Sequence, residues 1–143
     1  MKTLKQLLAG KNRPLAVAAP GDTVYHALTV MAKHEVGALL VLDGEQLVGI
    51  FSERDYARKI ILQGKTSKET LVSEIMSDKV AFVTPSVSLD ECMALMTEKH
   101  FRHLPVLDEK GNVLSIISIG DLVKETISNQ KFLIAQLEHY IAS

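Results

Sequence analysis

An internal repeat constrains the fold of this 143-residue chain more than any other feature. The two halves align at a shift of 65 residues, which rises to 66 after a turn that is one residue longer in the second half. Two copies of one supersecondary unit are therefore expected to pack together, because such a unit rarely buries its apolar face alone. The aligned positions include Pro20 with Pro85, Met31 with Met96, Leu39 with Leu104, Ser52 with Ser118, and Asp55 with Asp121.

Each repeat has the pattern strand–helix–strand–strand–helix. Apolar residues at helical spacing alternate with short β-branched runs, and Asp43-Gly44 is typical of a hairpin turn. The fold class is therefore α/β, or more loosely α+β, and Gly37 is expected to end the first long helix. The predicted helices are 3–9, 23–33, 52–62, 71–76, 88–100, 121–128 and 130–142; the predicted extended segments are 15–18, 38–42, 47–51, 80–83, 104–107 and 113–117.

The whole chain, 1–143, is interpreted as a single module. Its parts are a first repeat at 12–62, a linker at 63–76, a second repeat at 77–128 and a C-terminal helix at 129–143. Thr3 and Gly10 are candidate caps for the short helix that precedes the first repeat.

Composition excludes several classes of protein. The net charge is −1 and aromatic residues make up 5% of the chain, so neither a basic surface nor a base-stacking platform for nucleic acid is expected. No apolar run approaches the ~20 residues of a membrane span. The single cysteine, Cys92, excludes an intramolecular disulfide, and the N-terminus is too polar for a signal peptide. We expect a cytoplasmic protein that binds neither nucleic acid nor membrane.

Polar side chains cluster at the ends of the second hairpin. Arg102 and His103 lie at the mouth of its first strand, and Ser118 and Asp121 lie just past its second strand. Two donors that face a hydroxyl and a carboxylate indicate a site for a small ligand, because a carboxylate accepts two hydrogen bonds. The alternative is that Ser118 and Asp121 only cap the following helix, a role that both residue types favour.

The repeated segments GIFSERD (Gly49–Asp55) and SIISIGD (Ser115–Asp121) resemble a CBS-domain pair, also called a Bateman module. ERDYARK, DECMALMTE, ISIGDLVK and QLEHYI further resemble stand-alone bacterial CBS-pair proteins. The resemblance implies two repeats packed about a pseudo-twofold axis, and a homodimer formed through the module helices. It also implies a regulatory, energy- or redox-sensing module that binds AMP or NAD, with ADP or ATP left open, and that signals to an unknown effector protein.

The same resemblance implies a role for each residue of a first site. Ser118 and Asp121 would hold the ribose, and Arg102 and His103 would lie beside the phosphates. The alternative is that Arg102 is only a solvated surface charge and that His103 only makes local hydrogen bonds at the start of the strand. Adenine would be bound by backbone and apolar groups of Ala16, Val17, Ala18, Val36, Gly37 and Ala38.

A second, chemically different site is implied around Asp55. Gly37 and Ala38 stand where the second repeat has Arg102 and His103, and their side chains cannot bind a phosphate. Arg54 is a candidate phosphate ligand here and, alternatively, a surface charge. The residues implied at this second site are Ser52, Arg54 and Asp55 with the segments Lys79–Val83, which includes Val80 and Ala81, and Phe101-Arg102.

No residues form a convincing catalytic or metal-binding set. His100 and His103 straddle a helix end and a strand start, so helical spacing does not align them on a metal. Cys92 lies on the apolar face of a helix and is expected in the core. We therefore predict no enzyme activity, no catalytic cofactor and no metal. The rival interpretation is an interaction or dimerisation module whose cleft is vestigial.

Overall fold

A computed structural model describes residues 3–9 and 15–142, with side chains as far as residue 139. Helices and strands follow the predicted order, and the mixed helix–strand fold class is confirmed. The predicted cap at Gly10 and the predicted start of the first repeat at residue 12 lie outside the described residues. The elements are α1 Leu4–Ala9, β1 Val17–Ala18, α2 Val24–His34, β2 Ala38–Asp43, β3 Gln46–Ser52, α3 Glu53–Tyr56 with a π-helical turn Ala57–Ile61, α4 Val72–Ile75, α5 Leu89–Lys99, β4 His103–Leu107, β5 Val113–Ser118 and α6 Ile119–Ala142.

The two repeats share one sheet topology. In the first, β1 pairs in parallel with β2, and β2 pairs antiparallel with β3. In the second, β4 pairs antiparallel with β5, and the first strand is reduced to a single parallel bridge between Val83 and Val106. That bridge occupies the position where Ala18 meets Val41 in the first repeat. The shared topology is what the internal repeat predicts.

Each repeat has its own hydrophobic core beneath its sheet. Alternate residues of β2, Leu39 and Val41, point into the first core, while Ala38 and Leu40 are buried on the opposite face. The first core contains Ala18, Val24, Ala27, Met31, Leu39, Val41, Phe51, Ile60, Val72 and Ile75; the second contains Leu4, Val83, Leu89, Cys92, Met96, Leu104, Val106, Ile117 and Leu122.

The short helices α1 and α4 are exchanged between the repeats. Leu4 precedes the first repeat but is fully buried in the second core, and its backbone N–H donates to the Val87 carbonyl at 3.0 Å. Reciprocally, Val72 precedes the second repeat but is buried in the first core, and its N–H donates to the Asp22 carbonyl at 2.8 Å. The segment predicted as a linker, 63–76, thus includes a helix that completes the core of the first repeat.

The first long helix does not end at Gly37 as predicted. It ends at Glu35, which adopts the left-handed conformation (φ 55°) and donates its N–H to the carbonyls of Ala32 and Met31. The aligned residue of the second repeat, His100, adopts the same conformation (φ 58°) at the end of α5. Gly37 instead begins the approach to β2, and its carbonyl accepts the N–H of Glu53 at 3.1 Å.

The prediction of two C-terminal helices, 121–128 and 130–142, is wrong. The structure has one continuous helix, α6, of 24 residues. Ser128 and Asn129 are only moderately poor helix formers, and neither lacks a backbone donor, so they weaken the helix by a fraction of a kcal/mol each without ending it.

Gly49 is required by a close approach between β3 and the segment that follows α4. A Cβ at this position would lie 2.6 Å from Met76 Sδ and 3.0 Å from the backbone carbonyl oxygen of Ser77. Ser77 is itself fixed by paired backbone hydrogen bonds with Ile50, each 2.9 Å long. We expect Gly49→Ala to lower the free energy of unfolding by about 1–3 kcal/mol, because the Met76 side chain must move and the Ser77 carbonyl must be displaced slightly. Chemical denaturation monitored by circular dichroism measures this change.

Gly21→Ala is the matched control for that measurement. No atom lies within 4 Å of a Cβ placed at Gly21, so its stability should change by less than about 0.5 kcal/mol. Equal stability of the two variants would contradict the close approach at Gly49.

Candidate functional site

The first Ser-x-x-Asp motif forms a reciprocal cap at the start of α3. Ser52 Oγ accepts the backbone N–H of Asp55 at 3.2 Å, and Asp55 Oδ2 accepts the backbone N–H and the hydroxyl of Ser52, both at 3.0 Å. Such a capping box satisfies backbone donors that a helix start otherwise leaves unpaired. It also holds the Asp55 carboxylate in one position at the helix N-terminus.

The second motif repeats this geometry at the start of α6. Ser118 Oγ accepts the N–H of Asp121 at 3.1 Å, and Asp121 Oδ2 accepts the N–H of Ser118 at 2.9 Å. The helix-cap interpretation is therefore correct in both repeats. It does not displace the ligand interpretation, because a carboxylate has about four lone-pair sites.

Lys59 distinguishes the two carboxylates. It lies in the π-helical turn, where its ammonium is 3.4 Å from Asp55 Oδ1 and donates a 2.9 Å hydrogen bond to the carbonyl of Ile75 in α4. The Asp55 carboxylate is thereby joined to the exchanged helix. The residue aligned with Lys59 in the second repeat is Glu125, so the surroundings of Asp121 differ in charge.

A cavity of about 300 Å³ opens beside the first capping box. This volume is at the lower end of the range for small-ligand pockets, roughly 300–1,000 Å³. Ten predicted site residues line it, namely Ser52, Arg54, Asp55, Lys79, Val80, Ala81, Phe101, Arg102, His103 and Gly37. The cavity therefore combines the helix start of the first repeat with the leading segment and strand mouth of the second.

Four lining residues were missed from the sequence. They are Ile50, Glu53, Ser77 and His100. Ile50 could have been found, because it lies two positions before Ser52 and side chains two apart on a strand share a face. Ser77 gave no sequence signal, because its place depends on the bridge that it makes with Ile50.

The cavity contains both signs of charge. Arg54, Lys79 and Arg102 supply exposed cations, while Glu53 and Asp55 supply carboxylates. With neutral histidines, the lining has a small positive charge, which suits an anion of low charge. Arg102, predicted at the phosphates of the Asp121 site and beside the Asp55 site, lies in the Asp55 cavity.

His103 lies between the two capping boxes. It lines the cavity at Asp55 and also pairs with Ser118 across the β4–β5 ladder. A Cβ placed at Gly37 would be 4.0 Å from His103 Cε1 and 3.8 Å from Glu53 Oε2. Gly37 thus brings the backbone of the first repeat close to a side chain of the second.

The other predicted site residues lie outside this cavity. Ala18 and Ala38 are buried in the first sheet, and Val17 is exposed on β1. The half-buried ones are Ala16, Val36, Ser118 and Asp121. The structure thus brings ten of the predicted residues together around the cavity at Asp55. Of the others, Ala16–Ala18, Val36 and Ala38 lie in or beside the first sheet, and Ser118 and Asp121 lie where β5 meets α6.

Within residues 3–9 and 15–142, no three histidine, cysteine or acidic side chains are grouped so that they could hold a metal ion. Over the same residues, no helix is both long and apolar enough to span a membrane. Cys92 is fully buried in the second core, as predicted, and burial together with the Glu91 carboxylate raises the pKa of its thiol to about 11.

Comparison with known proteins identifies close relatives. The CBS domain family model matches twice, at residues 6–62 and 72–128. The mitochondrial CBS domain-containing protein CBSX3 of Arabidopsis thaliana is 45% identical over 125 residues, covering 84% of this chain and 60% of that protein, so this chain spans less than two thirds of that relative.

Two solved structures extend the comparison. A protein with CBS domains from Burkholderia ambifaria is 52% identical with a TM-score of 0.86, covering 90% of this chain and 96% of that one. CBSX2 of Arabidopsis thaliana, solved in complex with AMP, is 26% identical with a TM-score of 0.74, covering 91% of this chain and 99% of that one.

The contacts of Lys59 generate a prediction about stability. Lys59→Met removes an ion pair and a charged hydrogen bond while keeping most of the length of the side chain. We expect the free energy of unfolding to fall by about 1 kcal/mol, since Lys59 is partly exposed and the ion pair alone is worth only ~0.3–0.5 kcal/mol. Equilibrium denaturation measures the loss. Lys65→Met, at an exposed position in the next loop, serves as the control, and an equal effect would show that the Lys59 contacts add nothing.

Proposed function

This chain belongs to the CBS-domain family, and from that membership we propose that it is a regulatory module that binds an adenosine nucleotide, AMP or NAD, between its two repeats without catalysing a reaction. The cavity at Asp55 carries the proposal. It places a fixed carboxylate, suited to ribose hydroxyls, within one lining that also includes three cations, suited to phosphate. AMP bound to CBSX2, a family member of similar fold, supports an adenosine ligand.

The ribose is proposed to bind at Asp55 and Ser52. Oδ2 of Asp55 already accepts two hydrogen bonds from Ser52, so Oδ1, which faces Lys59, is the oxygen that keeps a lone pair to accept a ribose hydroxyl. Because the capping box and Lys59 already hold the carboxylate, little side-chain freedom is lost on binding, which favours affinity. The apolar lining residues Val80, Ala81 and Phe101 suit the faces of adenine.

Charge favours AMP or NAD over ATP. Arg54, Lys79 and Arg102 can balance one or two phosphates, but Glu53 adds a negative charge to the same cavity. A third phosphate would add negative charge with no further cation among the lining residues to offset it. ADP and ATP are therefore weaker candidates, and a triphosphate would require a divalent cation.

A second nucleotide site at Asp121 is part of the proposal. Ser118 and Asp121 form the same capping box, and His103 lies beside Ser118 on the neighbouring strand. The adenine would then lie against Ala16–Ala18 and Val36–Ala38. Glu125, in place of Lys59, makes this site less favourable for an anionic ligand, so we expect it to bind more weakly than the Asp55 site.

Signalling is proposed to proceed by population shift. A ligand that contacts both repeats favours the arrangement in which its contacts are best, and that bias is the signal. The module is further proposed to be a cytoplasmic homodimer that passes the signal to an effector protein.

The alternative function, an interaction module with a vestigial cleft, is favoured by one observation, the apolar surface of α6, where Phe132, Leu133 and Leu137 are more than half exposed.

Ligand binding is tested by thermal unfolding of the full chain with AMP, NAD, ADP, ATP and GMP. A ligand at 100 times its Kd stabilises the folded state by about 2.7 kcal/mol, which raises the unfolding midpoint by roughly 8–10 °C in a chain of this size. We expect AMP or NAD to produce this shift and GMP to produce none. If none of the adenine nucleotides moves the midpoint, the interaction module becomes the better account.

The site is tested with isosteric variants. Asp55→Asn retains an acceptor for the cap but removes the charge, so AMP affinity measured by calorimetry should fall about 10- to 100-fold. Asp121→Asn should reduce only the weaker binding event. Asp43→Asn, in the exposed hairpin turn, is the control and should bind normally. Normal binding by Asp55→Asn would exclude the Asp55 cavity as the site.

A further inference from the structure

The outer part of α6, Gln130–His139, is helical but exposed to solvent along its length. Every residue from Gln130 to His139 is exposed, although the backbone is helical throughout. A polar helix end can extend into water, but this one contains Phe132, Leu133, Ile134 and Leu137, each 52–61% exposed. The segment extends a helix whose first part packs on the second core, and four large exposed apolar side chains on this extension mark a surface for another chain.

The apolar residues of α6 follow the spacing of a coiled-coil seam. Steps of four and three residues lead along one stripe through Val123, Ile127, Gln130, Ile134, Leu137 and Ile141. Alternating steps of three and four place side chains along one seam that faces another helix. The four apolar side chains described on this stripe, Val123, Ile127, Ile134 and Leu137, are 43–60% exposed. This spacing therefore indicates that the partner that packs against the stripe is another helix.

We propose that this stripe of α6 pairs antiparallel with the same stripe of a second copy of the chain, about a twofold axis near residue 132. In that register Ile127 lies opposite Leu137 of the partner subunit, Gln130 opposite Ile134 of the partner subunit, and Val123 opposite Ile141 of the partner subunit. The stripe is therefore complementary to itself, which a twofold interface requires. The proposal rests on the homodimer proposed above and gives it a specific contact.

The charges beside the stripe favour the antiparallel orientation. Lys124 and Glu138 flank the seam on one side, and the antiparallel register brings Lys124 near Glu138 of the partner subunit, twice per dimer. A parallel pair would instead place Thr126 beside Lys131 of the partner subunit and Leu133 beside Glu138 of the partner subunit, with no ion pair. Complementary flanking charges are what sets orientation in coiled coils.

Near the twofold axis, one of the expected contacts is favourable and another brings like charges together. Leu133 would meet Leu133 of the partner subunit on one flank and so add apolar contact, while on the other flank Lys131 would approach its own counterpart. Long lysine side chains can diverge into water at such a position. Gln130, the one polar residue of the stripe, lies close to the axis, where a polar residue helps to define register at a cost in stability.

The orientation is tested by disulfide formation between two variants of the full chain, Ile127→Cys and Leu137→Cys. The antiparallel register predicts a disulfide-linked dimer when the two variants are mixed, and none when either is oxidised alone. A parallel pair predicts the reverse, because each cysteine would face its own counterpart. Native Cys92 should contribute little background because it is fully buried, and the wild-type chain controls for it. Linkage of the single variants alone, or no linkage in the mixture, would overturn the proposal.

The contribution of the stripe to assembly is tested by sedimentation of Ile134→Glu against Gln136→Glu. Both add one negative charge to an exposed position, but only the first lies in the seam. We expect Ile134→Glu to raise the dimer dissociation constant on the order of 100-fold and Gln136→Glu to leave it within about threefold. A monomeric wild-type chain would overturn both the homodimer and the helix pairing. A dimer that Ile134→Glu leaves intact would overturn the helix pairing alone, and nucleotide binding is measured independently of both.

Discussion

The reciprocal exchange of α1 and α4 is the constraint on which the rest of the structure depends. Leu4, which precedes the first repeat, completes the second core. Val72 and Ile75, which precede the second repeat, complete the first core, so the core of each repeat includes side chains from the segment before the other. Removing either helix would expose one core to water at a cost of about 1.5–3 kcal/mol per large buried side chain. The repeats are consequently held in one mutual arrangement, and surfaces between them can serve as binding sites.

The same exchange links the candidate site to the packing between the repeats. Lys59 joins the Asp55 carboxylate to the carbonyl of Ile75, so the group that would bind ribose and the helix that holds the repeats together share one side chain. Lys59 lies within the π-helical turn, and such turns are frequent at functional sites.

Sequence reasoning succeeded where the signal was periodic or local and failed where it depended on tertiary contacts. The strands, the hairpin turns and both Ser-x-x-Asp caps follow from spacing and turn chemistry within a few residues. The exchange of α1 and α4 could not be read from the sequence, because an apolar helix does not specify which core will accept it. Ser77 and Lys59 were overlooked for the same reason. The end of α2 at Glu35 rather than Gly37 shows that a non-glycine residue can adopt the left-handed conformation at a helix end.

The repeats differ in charge at two positions that matter for the candidate site. A cleft combines the helix start of one repeat with the strand mouth of the other, so the replacement of Gly37 by Arg102 in the second repeat places an arginine in the cleft at Asp55. The replacement of Lys59 by Glu125 acts in the same direction, because it lowers the positive charge near Asp121 and leaves it near Asp55. Both differences place a cation near Asp55, with Arg102 in the cavity lining and Lys59 on the carboxylate itself. The two repeats therefore share one sheet topology but differ in the charges around Asp55 and Asp121, and this difference is the basis of the proposed difference in affinity between the two sites.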